Sequence, residues 1–297
     1  MNLFLLLFPD LALIAIGFVL SRKADWGADL WPGVEKLTYY VLFPALLFHS
    51  IVRNPVQWDL ARDLVLGVLA VVGVSAVLGS MARYLLKPPA MRMASSVQCA
   101  YRFNSYLAMA LSQRLGGTEG LALCALCLAV AVPVVNILAV SAIARQTRAG
   151  LMTEWLRNPL ILATVAGLLA AAAGMTLPEP VDSLLTRVGA AALGLGLMTV
   201  GAGIRLAGTG GDRRLIAWLS GVKLLAAPAA ALAVGHWLGL APAAQTVLLV
   251  FGAVPTASAA YILANRMGGD GPFVAVCITA STFLAALTVP FWLLVAT

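Results

Sequence analysis

Runs of roughly 20 apolar residues alternate with short polar stretches ten times along the chain. At 1.5 Å per residue such a run crosses a bilayer core, so each predicts a membrane-spanning helix. The expected spans lie near 3–21, 34–52, 64–85, 94–115, 121–144, 158–174, 184–206, 215–239, 243–265 and 273–296. Two of them are interrupted where the apolar run should be deepest. The fourth carries Arg102-Phe103-Asn104-Ser105, and the ninth carries Gly252 to Ser258 around Pro255. Unwound backbone in hydrocarbon costs several kcal/mol per unsatisfied group unless protein or a water-filled cavity receives it. Breaks at matching places in two halves point to a binding site near the bilayer midplane.

Composition agrees with the pattern: 62% of residues are hydrophobic and 10% charged, which excludes an ordinary soluble domain. The net charge of +7 reflects the loops. Loops after odd-numbered spans hold thirteen Lys or Arg residues and loops after even-numbered spans hold four. That bias predicts cytoplasmic odd loops and both termini outside. No aromatic-basic cluster accompanies the charge, so no nucleic-acid partner is expected. Cys99, Cys124, Cys127 and Cys277 all fall in apolar runs and are expected as reduced thiols. The Cys124/Cys127 pair has no further ligand nearby in sequence, so no metal and no cofactor are expected.

The longest segment between spans, Arg145 to Arg157, divides the chain into five spans plus five. A five-span unit starts and ends on opposite sides, so a second copy must be inverted. The expected organisation is a first repeat over 1–145, a cytoplasmic linker over 146–157 and an inverted second repeat over 158–297. Spans four and nine would then face each other across a pseudo-two-fold axis in the membrane plane.

Asn104 and Ser105 are N-cap residues ahead of an apolar helical run, and Thr256 and Ser258 stand similarly before Tyr261, with Pro255 removing a backbone donor. Each break therefore begins a half-helix whose first N–H groups attract anions, opposite a half-helix whose last carbonyls attract cations. Arg102 either braces those carbonyls or forks onto a substrate carboxylate. Lys223 sits about nine residues into span eight, where it either braces carbonyls or neutralises a site that would otherwise hold a cation. Asp10 in span one reads as a local cap or a partner for a basic side chain. His49 and His236 read as interfacial. Spans four and nine contain no Asp or Glu, and no HExxH, GxSxG or phosphate-cradling loop occurs, so no enzyme is expected. Gly189, Gly194, Gly196, Gly201 and Gly203 in span seven suit close helix packing.

With these residues in place, the chain resembles the auxin efflux carrier family, which includes plant PIN-type carriers and bacterial permeases for small organic acids. The resemblance rests on Leu37 to Phe48, Arg102 to Ala108, Asn158-Pro159 through Ala163, Pro255 to Ala264 and Gly268-Gly269-Asp270. It implies an all-α fold of ten helices in two inverted five-helix repeats with crossed, broken helices 4 and 9, similar to bile-acid symporters and sodium/proton antiporters. It further implies a scaffold of spans 1, 2, 6 and 7, a mobile transport domain of spans 3–5 and 8–10, elevator-like alternating access and a homodimer. The family's substrate carboxylate lies near the crossing, with the fourth-span Asn as a contact, here Asn104. Relatives often carry Gly before that Asn. Arg102-Phe103 adds a fixed cation, pointing away from auxin-like ligands and towards a smaller, more charged acid such as a dicarboxylate.

The function expected is secondary transport of small mono- or dicarboxylates across a bacterial inner membrane, with Arg102, Asn104, Ser105, Pro255, Thr256 and Ser258 around the anion. A sodium-coupled symporter of a larger amphipathic acid is the alternative within transport. A non-transporting membrane receptor or scaffold is the alternative outside it.

Overall fold

The computed structural model describes residues 3–23, 30–53, 58–147, 159–204, 212–257 and 259–296, and these are helical with short connections and no strand among them. The helices are α1 Leu3–Lys23, α2 Leu30–Leu37, α3 Phe43–Arg53, α4 Trp58–Leu85, α5 Ala90–Ser96, α6 Ser105–Thr147, α7 Pro159–Ala172, α8 Glu179–Gly203, α9 Arg213–Gly221, α10 Ala227–Trp237, α11 Pro242–Ala253, α12 Ala259–Arg266 and α13 Gly271–Val295. Within the described residues, Arg62–Leu85, Ala90–Ile143, Glu179–Gly203, Arg213–Trp237 and Gly271–Val295 are long and apolar enough to cross a bilayer. Ser258 and Asn158 lie outside the described residues, as do the side chain of Asp10 and most of the interval 146–157 that the sequence reads as a linker.

α6 covers the second half of the fourth apolar run and the whole of the fifth. Its course turns at Gly117, which adopts φ 59° and ψ −149°. That left-handed backbone suits a residue without Cβ, so one glycine replaces the loop expected between the two runs.

Two helices are interrupted by π-helical turns, and one cause serves both. α2 passes into α3 through Thr38–Leu42, and α9 passes into α10 through Val222–Ala226. Each turn is followed two residues later by a proline, Pro44 or Pro228. Proline lacks the N–H that the residue four before it requires, and the helix widens by one residue there. The carbonyl that Pro228 leaves without its helical donor is that of Leu224, and the indole of Trp292 on α13 supplies the missing N–H at 2.8 Å. α13 is thereby fastened to the middle of the α9–α10 pair.

Helix contacts fall into two groups. α1 runs along α8, while α3 packs on α7 and α8. In the other group α10, α11, α4 and the two arms of α6 pack together, with α13 against α11. Small residues set the closest approaches in the first group. A Cβ on Gly201 would lie 1.8 Å from the Ile14 carbonyl oxygen, so any larger residue would force α1 and α8 apart. Gly189 and Gly196 likewise receive Leu46 and Phe43, whereas Gly194, expected to pack, faces open space. At one end of this group Asp182 of α8 accepts from Arg53 Nε at 2.6 Å and pairs with His49 Nε2 at 2.8 Å, tying α3 to α8. The stacked rings of Phe43 and Tyr106, 4.7 Å apart, join the first group to α6.

Candidate functional site

The two interrupted segments meet at their breaks. On one side, α5 continues through a 3-10 turn, Val97–Ala100, and non-helical backbone runs from Tyr101 to Asn104 before α6 starts. On the other, α11 ends at Ala253 and α12 starts at Ala259. The breaks satisfy each other's backbone. Asn104 donates its N–H to the Pro255 carbonyl at 2.8 Å, and Thr256 donates its hydroxyl to the Cys99 carbonyl at 2.7 Å. The Phe103 and Phe251 rings touch with centroids 4.3 Å apart. Polar backbone that would be ruinous in lipid is thus held inside protein. Away from the breaks, the Gln98 amide donates to Ala260 O at 3.3 Å. Asp270 caps α13 at Phe273 N, pairs with Arg92 at 2.9 Å and donates its own N–H to Ser95 Oγ at 2.8 Å.

Asn104 is 4% exposed, and its Oδ1 accepts from the N–H groups of Tyr106 and Leu107, both at 3.1 Å. It is the N-cap of α6, which leaves its carboxamide nitrogen to act as a donor. Ser105 and Arg102 line a cavity of about 110 Å³ together with Tyr39, Asn136, Ala257 and Ala259. Arg102 is 6% exposed, and its Nη2 donates to Asn136 Oδ1 at 2.5 Å. Of the two roles open to Arg102 in the sequence, the geometry shows its guanidinium directed across the cavity to a side-chain amide. Asn136 is a site residue that sequence reasoning passed over. Its signal was available: it is the single amide within the apolar run 121–144.

Lys223 stands on the opposite side of the crossing. It is 2% exposed, and its Nζ donates to the carbonyls of Gly252 at 2.8 Å and Phe251 at 3.4 Å. These are among the last carbonyls of α11, which have no helical donor and carry the negative end of the helix dipole. The buried Lys223 side chain is held there because its N–H donors meet acceptors that also lack partners. Thr256 is 1% exposed; besides its bond to Cys99, its N–H lies 3.4 Å from Ser281 Oγ. It lines neither this polar cavity nor the apolar one beyond Pro255. Pro255 presents its ring to that second cavity, of about 250 Å³. The four cysteines are buried and none is joined in a disulfide.

The two broken helices thus cross inside the protein, with a basic side chain beside each break. Comparison with known proteins identifies the lineage. A family model described as a membrane transport protein matches residues 142–293, just over half of the chain and including Lys223 and the second break. No curated protein matches the chain. The chain belongs to this membrane transport protein family, that of the auxin efflux carriers and PIN proteins, and is a multi-pass membrane transporter.

Proposed function

We propose that the protein is a secondary carrier of small organic anions, mono- or dicarboxylates, which it moves chemically unchanged across a bacterial inner membrane. The reading is carried by one observation. The guanidinium of Arg102 and the N-terminal end of α6, with Ser105 in its first turn, converge on one partly open cavity at the crossing, where they are set among apolar side chains. Both favour a carboxylate. Arg102 rests one N–H on the neutral amide of Asn136, and a charged acceptor makes roughly twice as strong a bond as a neutral one. An arriving carboxylate therefore displaces Asn136, and Asn136 takes the guanidinium back when the anion leaves. The carboxamide nitrogen of Asn104 supplies a further donor, and Ala257 and Ala259 bring the second break to the same cavity.

In this proposal the ten apolar runs are ten spans in two inverted repeats with both termini outside. α1, α2, α3, α7 and α8 form a scaffold, and the remaining helices slide against it as an elevator. The protein works as a homodimer joined through the scaffold. Sodium coupling is disfavoured because the carbonyls at the end of α11, where a cation would bind, already hold the Lys223 ammonium. The test is uptake of labelled succinate and lactate into proteoliposomes, with and without a sodium gradient. Carboxylate uptake independent of sodium is expected. Failure of every small acid either to enter or to raise the thermal stability of the purified protein would overturn the reading.

A further inference from the structure

The larger cavity, about 250 Å³, lies between the two helix groups and is lined by Ile14 and Phe18 of α1, Val200 of α8, Leu111 of α6 and, on α13, Thr282, Phe283, Ala285, Ala286, Val289 and Pro290. Its lining is apolar in effect, since the one hydroxyl, that of Thr282, is turned back onto the Ile278 carbonyl at 2.9 Å. From Thr282 to Pro290 is eight helical steps, about 12 Å, so the cavity is a slot running along α13. Its wall includes Phe283, 54% exposed on the outer face of the bundle. At the end formed by Phe18 and Ile204 sits the guanidinium of Arg22. The Arg22 guanidinium lies 3.8 Å above the Phe18 ring, donates to the Phe18 carbonyl at 3.1 Å and reaches the Ile204 carbonyl that ends α8. A guanidinium has five N–H donors in a planar fork, so these contacts leave capacity for an anion while fixing its position.

An apolar slot with a fixed cation at one end is complementary to a single alkyl chain ending in an anionic head group. We propose that this cavity binds such an amphiphile, its chain along α13 and its head group on Arg22, at a site distinct from the polar cavity of Arg102 and Asn136. Pro255 lies against the slot, so an occupant wedges α1 and α8 apart from α6 and α13 beside the crossing itself. The inference is independent of which acid the polar cavity carries.

The test uses the full chain in phosphatidylcholine nanodiscs with a diazirine-bearing palmitate, and adducts mapped by mass spectrometry. Adducts on Leu111, Val200 and Val289 are expected, competed by palmitate and only at about tenfold higher concentration by hexadecanol. Ala286→Phe, which fills the slot, should abolish those adducts while leaving the ones on lipid-facing Leu287 and Leu294. Arg22→Gln, at an exposed position, should erase the preference for palmitate over hexadecanol. Competition by lysophosphatidylglycerol, which carries one chain and an anionic head group, identifies the occupant as a single-chain phospholipid, and its failure to compete leaves the free fatty acid. Adducts no denser on the slot than on Leu287, or unchanged in both variants, overturn the proposal.

Discussion

The two breaks at the crossing each carry a buried cation, and the cations have different work. Lys223 is bonded to main-chain carbonyls that cannot leave, because α11 ends where it does whatever else binds. Arg102 is bonded to a side chain that can rotate away. A cation on a helix end is part of the fold, and removing it leaves acceptors unsatisfied in a dry site. A cation on a rotatable amide beside a cavity can exchange that partner for a ligand. The same residue class therefore reads as structure at one break and as recognition at the other, and the difference lies in what each side chain touches.

The sharpest way to break this contrast is at Lys223. Lys223→Met strands the Phe251 and Gly252 carbonyls at the end of α11, and leaving buried acceptors unpaired costs about 1–3 kcal/mol. A large fall in detergent-solubilised thermal stability is expected, with or without substrate. If sodium restored that stability in the variant and not in the parent, the vacated carbonyls would be accepting a metal cation, which sharpens the view that Lys223 occupies a cation position. Unchanged stability would show that the carbonyls find water or another donor, and the contrast would fail.

Arg102→Gln tests the other side. The loss of a charge-assisted contact to a carboxylate, about 1.5–3 kcal/mol, should weaken apparent affinity roughly 10- to 100-fold while the protein stays monodisperse. Asn136→Leu provides the control. It removes the resting partner of Arg102 without touching the charge, so the variant should lose stability but keep substrate-dependent stabilisation. Wild-type uptake by Arg102→Gln would reduce Arg102 to a brace like Lys223.

Much of the crossing was legible because its signals are local. Pro255 and the Asn104-Ser105 pair announce a stop and a start by backbone chemistry alone, and Asn104 caps α6 as its residue type predicts. The partner of Arg102 was not legible, since Asn136 lies 34 positions away and the pairing depends on how α6 folds back at Gly117. Gly194 shows the same limit: composition favours packing along span seven, but which face a glycine presents is decided by the neighbour, and here there is none within 4 Å. The π turns were written in Pro44 and Pro228, yet the indole that answers the second, Trp292, comes from α13.

Asn104→Ala is expected to have a smaller effect on the fold than Lys223→Met, about 1 kcal/mol for a lost N-cap. It should also abolish stabilisation by substrate, because it removes the carboxamide nitrogen as well as the capping oxygen. Asn104→Asp separates these two roles. Aspartate caps α6 as well as asparagine does, but it has no donor and brings a negative charge between Arg102 and Ser105, which line the cavity. Stability near that of the parent with no substrate response would assign Asn104 to both functions.

The smallest effect is expected at Thr256. Its hydroxyl is committed to the Cys99 carbonyl and its side chain lines neither cavity. Thr256→Val keeps the shape and strands one carbonyl, that of Cys99, where Lys223→Met strands two. If the bond only ties the segments together, thermal stability falls slightly and the concentration of acid giving half-maximal uptake is unchanged. A shift in that concentration would mean the Thr256 hydroxyl leaves Cys99 for the substrate during the cycle. The second break would then share in recognition, and the division of labour between Lys223 and Arg102 would no longer hold.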